Sequence, residues 1–66
     1  MTGKDILAER KRRGIAQTTL AKAAGVDLAV ISAIERGKLQ IAPAELLRLW
    51  GILDSIKPQD QTHNAA

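Results

Sequence analysis

Sixty-six residues, 45% hydrophobic and 26% charged, make one small globular domain with a net charge of +3. The chain has no cysteine, which excludes disulfides and thiolate metal sites, and no apolar run approaches the ~20 residues that span a bilayer. A chain this short buries only ~60% of its extended surface, and a dimer partner would supply further burial.

The first predicted helix covers Gly3–Arg13. Thr2 and Asp5 have the S/T-x-x-D/E spacing of a capping box, and Ile6 and Leu7 are its inward residues, with Ala8 near the boundary. The run Arg10-Lys11-Arg12-Arg13 suits the negative end of the helix dipole before Gly14 stops it. A second helix covers Gln17–Ala24, with Leu20, Ala21 and Ala24 on one face and no side-chain cap at Ala16. Gly25 then tolerates the positive φ of a sharp turn, and Asp27 stands as the N-cap of a third helix, Leu28–Arg36. Val30, Ile31 and Ile34 form the inner face of that helix, and Gly37 closes it. Leu28–Ile31 alone has strand character, but the cap at Asp27 and the 3.6 period reaching Ile34 favour helix.

After a loop through Lys38–Ala42, Pro43 takes a favourable first helical position. The fourth helix presents Leu46, Leu47, Leu49, Trp50 and Leu53, is weakened by Gly51, and ends near Ile56 ahead of Pro58. Residues 58–66 have no apolar periodicity and are expected to form a disordered tail behind a domain of residues 1–57. The N-terminus has no signal-peptide apolar core, so a cytoplasmic location is expected.

Two short helices pinned by a glycine turn, over Gln17–Gly37, are the build of a helix-turn-helix, whose second helix can enter the major groove of DNA. The chain resembles the phage-repressor or Cro-like helix-turn-helix family of DNA-binding regulators. The resemblance starts at Ile6–Gly14 and continues through Gln17, Leu20-Ala21, Ala24-Gly25-Val26, Ile31-Ser32, Ile34-Glu35 and Gly37-Lys38 into Leu46–Leu49. It implies an all-α, compact four- to five-helix bundle with a central helix-turn-helix, of the lambda-repressor-like kind.

Charge agrees with a DNA partner. Residues 1–38 carry eight basic groups and four acids, a net of +4, while residues 39–66 are net −1. The basic excess therefore lies with the reading helices, as phosphate binding requires. Arg13, Arg36 and Lys38 are candidate phosphate contacts, with Lys22 undecided. The resemblance adds Gln17, whose family counterpart meets the DNA backbone at the open end of helix 2; alternatively it hydrogen-bonds across to helix 3. The resemblance also implies a partly buried ion pair between Arg10 and Glu35, against the alternative of two independent surface charges.

At the family's base-reading positions this chain departs from the pattern. It has Leu28, Ala29, Ser32 and Ala33 there, and only Ser32 forms hydrogen bonds; Asp27 is a further acceptor if capping leaves it free. Direct readout would be sparse, leaving more to phosphates and DNA shape. The rival reading is a protein-interaction module, antitoxin-like or adaptor, that docks a partner on an apolar third helix.

Leu39, Ile41, Trp50, Leu53 and Ile56 exceed what a four-helix core of this size buries, and are expected to form a homodimer interface. In the alternative, Trp50 fills the space between helices 1 and 4. A homodimeric repressor on a palindromic operator is the expected function. His63 stands alone in the tail, and Asp5, Glu9 and Glu35 belong to no ligand motif, so neither catalytic residue, metal nor cofactor is expected.

Overall fold

Four helices make up the computed structural model, which describes residues 1–57: α1 (Gly3–Arg12), α2 (Gln17–Ala24), α3 (Leu28–Glu35) and α4 (Pro43–Ser55). No strand occurs among the described residues, so the all-α expectation holds with four helices. The expected tail, residues 58–66, lies outside the described residues.

The helix ends follow local chemistry. At the start of α1 the Asp5 carboxylate accepts the Thr2 backbone N–H at 2.7 Å, half of a capping box. At the end of α2, the Gly25 N–H donates to the Lys22 carbonyl and the Val26 N–H to the Ala21 carbonyl, at 3.2 and 3.0 Å. That pair of bonds needs a left-handed residue, and Gly25 has φ 72°. The same pattern ends α1 at Gly14 and Ile15, and α3 at Gly37 and Lys38. Gly3 has a separate role. A Cβ there would collide with the Ile34 carbonyl, so the start of α1 rests directly on the end of α3.

The core gathers Ile6 from α1, Leu20, Ala21 and Ala24 from α2, Ile31 and Ile34 from α3, and Leu46, Leu49 and Leu53 from α4. Ile15 joins them from the α1–α2 connection, a position that helical periodicity does not reach. Helix α3 packs on α1 and α2, and α4 packs on the same two helices. Leu7, expected inward, is only half-buried; the next inward position on α1, four residues after Ile6, belongs to Arg10. Leu47 is 64% exposed on the outer face of α4.

The expected dimer surface divides. Leu53 is fully buried in the chain's own core, so it has no surface to give to a second copy. Trp50, Ile41 and Ile56 are half-buried against that core, and Leu39 is exposed.

Charges tie α1 to itself and to α4. Glu9 accepts bonds from Arg12 and from Arg13, whose Nε lies 2.6 Å away, and these two guanidinium groups hold its carboxyl down from 4.5 to about 2. A lowered carboxyl pKa contributes stability above the ordinary value, lost as pH falls toward the folded value. Glu9→Gln should therefore destabilise at pH 7, and its deficit against wild type in urea unfolding should narrow between pH 4.5 and 2. An equal deficit at both ends would show that the carboxylate charge is not what Arg12 and Arg13 use.

Candidate nucleic-acid interface

The turn at Gly25 delivers α3 with its first residues pointing outward. Asp27 takes the extended N-cap conformation, but its side chain makes no capping bond and stays exposed. Leu28 and Ala29 follow as exposed residues, Leu28 at 43%, and Ser32 and Ala33 are half-buried one turn later. Ile31, Ile34 and Glu35 face inward and fix the rotation of the helix about its axis. The five expected reading positions thus lie on the side of α3 that the core leaves open.

The rotation is locked by a buried polar network. Arg10 Nε and Nη2 donate to the two oxygens of Glu35 at 2.8 and 3.0 Å, and Arg10 Nη1 donates to the Ile15 carbonyl at 2.8 Å. Glu35 is 1% exposed and Arg10 7%, so the expected ion pair is present and deep. Its planar, two-point geometry admits one relative placement of α1 and α3. Gln17 Nε2 adds a third donor to Glu35 at 2.9 Å, joining α2 to the same carboxylate. No buried side-chain nitrogen or oxygen is left unpaired among the described residues.

Gln17 therefore makes the bond across to α3, which engages one of the two N–H donors of its amide. What the first turn of α2 does offer is backbone N–H groups, since Ala16 supplies no capping oxygen, together with the exposed Thr18. Thr18 has no signal in spacing or charge and was not among the expected contacts.

Arg13 needs the larger correction. Its Nε binds Glu9, its Nη2 binds Asp54 at 2.7 Å, and its Nη1 donates to the Leu53 carbonyl at 3.3 Å. With its side chain 18% exposed, it bridges α1 to α4 and is not a free phosphate ligand. Arg12 is paired with Glu9, and Arg48 with Glu45 and the Ala24 carbonyl. Arg36 has no carboxylate partner among the described residues; its Nε and Nη2 donate to Ser32 Oγ at 3.2 and 3.0 Å. The side chains of Lys22 and Lys38 make no hydrogen bond or ion pair among the described residues, and both residues are exposed. Arg10, Arg12, Arg13 and Arg48 are thus paired with carboxylates, whereas Lys22, Arg36 and Lys38 leave positive charge open around α2 and α3.

Among the described residues no group of three or more His, Cys, Asp or Glu side chains is arranged to hold a metal, and no helix is long and apolar enough to cross a membrane. A family model described as helix-turn-helix matches residues 6–60, and therefore takes in most of α1 and the whole of α2, α3 and α4. Neither a curated protein nor a solved structure matches the chain.

Proposed function

The chain belongs to the phage-repressor or Cro-like helix-turn-helix family of DNA-binding regulators, and from that premise we propose that it is a cytoplasmic repressor that binds a palindromic operator as a homodimer. Helix α3 enters the major groove with Asp27, Leu28, Ala29, Ser32 and Ala33 toward the bases, and occupancy alone blocks a promoter. The observation that carries this reading is the Glu35 network, which holds α1, α2 and α3 in one rigid unit behind an outward-facing α3. Phosphates are met by Lys22, Lys38 and the open N-terminus of α2.

The second copy docks on a groove of about 460 Å³ between the start of α1 and the α3–α4 connection, lined by Met1, Gly3, Ile34, Leu39, Ile41 and Leu46. Met1 and Leu39, at 56% and 41% exposure, stand on that same face, so one surface offers both a hollow and apolar side chains to fill its mate. Such a dimer sets its two α3 helices on half-sites ~34 Å apart.

The test is salt dependence. Duplex binding should weaken steeply as salt rises, and Lys22→Ala and Lys38→Ala should each lower the slope of log K against log salt by ~1. Both should reduce affinity for all duplexes about equally. The exposed Leu28 and Ala29 favour a second reading, an apolar α3 that docks a protein. Weak, salt-insensitive duplex binding, unaffected by either lysine, would decide for it.

A further inference from the structure

We infer that Arg36 is a specificity-determining residue that reads a guanine, and that Ser32 positions it; the inference rests on the reading of α3 as the groove helix. Arg36 was expected among the phosphate contacts, and Ser32 as an independent base reader. Their geometry joins them. Arg36 is the residue that ends α3, and its side chain runs back along the helix so that both Nε and Nη2 donate to Ser32 Oγ one turn earlier. That direction carries the guanidinium from the end of the helix toward the face that holds Leu28, Ala29 and Ala33.

The chemistry left over is specific. A guanidinium has five N–H donors in a plane, and the Ser32 oxygen engages two of them. The remaining donors lie on Nη1 and Nη2, at the edge turned away from Ser32, side by side. That is the fork that matches O6 and N7 of guanine in the major groove. Each of Arg10, Arg12, Arg13 and Arg48 has its charge met by a carboxylate, whereas Arg36 is held by a neutral hydroxyl. A neutral acceptor orients the plane and leaves the charge intact. On the open face of α3, Leu28, Ala29 and Ala33 have no side-chain donor or acceptor, so polar readout there falls to the Ser32–Arg36 pair and Asp27. The pair turns a face poor in hydrogen-bonding groups into one with a single strong preference.

The test is selection of bound duplexes from a random pool, followed by titration of the selected site and of single-base variants over a salt series. Wild type should select a G·C pair at one position per half-site and discriminate against other pairs there by roughly 5- to 150-fold. Arg36→Lys keeps the charge and loses the planar fork, so the salt slope should hold while that preference weakens, and Arg36→Gln should abolish it. Ser32→Ala should weaken the preference at the same position and no other, and Ser32→Thr should restore it. Urea unfolding followed by Trp50 fluorescence establishes that each variant is folded. A motif unchanged in Arg36→Ala, with affinity lost equally for every duplex and a slope lower by ~1, makes Arg36 a backbone contact and overturns the inference. Wild type that binds duplexes without preference overturns it too and leaves DNA binding standing. Wild type that binds no duplex removes the reading on which it rests.

Discussion

Glu35→Ala should remove a large share of the protein's stability, about 3–5 kcal/mol. A domain of this length has a total stability on the order of 3–10 kcal/mol. Removing one partner of a buried ion pair costs about 3–5 kcal/mol, because the other charge stays behind without compensation. Arg10 would keep only the Ile15 carbonyl, and Gln17 would lose its acceptor on α3. Urea unfolding at pH 7 reads the loss directly, with Trp50, the only tryptophan, as the probe. A loss below ~1 kcal/mol would mean that water reaches the pair and that it behaves as a surface contact. The converse replacement separates stability from placement. Arg10→Met combined with Glu35→Leu removes both charges and should recover much of the loss, since apolar side chains of similar volume often replace a buried pair without penalty. If that double variant folds but binds its duplex poorly, the network serves chiefly to set the angle of α3.

Much of this fold is legible in sequence because its helix ends depend on single residues. Gly25 and Asp27 mark the turn between α2 and α3 by backbone conformation alone, and the apolar spacing of Ile31 and Ile34 names the inner face of α3. The Arg10–Glu35 pair is different. Two charges separated by 25 positions have no local signature, and only resemblance to a family brought them together. Arg13 shows the limit of reading charge. Its neighbour Glu9 is visible at i−4, but Asp54 lies on α4, and charge counting treats a guanidinium spent on two carboxylates like a free one. The Ser32–Arg36 contact, by contrast, has a signal at i, i+4 that spacing alone could have found.

Leu53→Ala should be the second most damaging change, at about 2–5 kcal/mol for a fully buried leucine whose cavity refills only in part. Sequence spacing does not separate Leu53 from Trp50 and Ile56, since the three recur at three-residue intervals and a short chain has few other places to put them. Burial separates them, because Leu53 is at 0% exposure while the other two are half-buried. The consequence is a crossed pattern between two variants. Leu53→Ala should lower the urea midpoint sharply and leave the self-association constant of the folded fraction unchanged in sedimentation. Leu39→Glu changes a side chain 41% exposed at the groove, so it should cost the monomer within ~0.5 kcal/mol and weaken self-association instead. Should Leu53→Ala dissociate a dimer without loss of monomer stability, the packing of α4 against α1 and α2 would have to be rebuilt around an intersubunit Leu53. A wild-type chain that sediments as a monomer at micromolar concentration, both free and on DNA, would end the dimer reading and leave Met1 and Leu39 as ordinary surface residues.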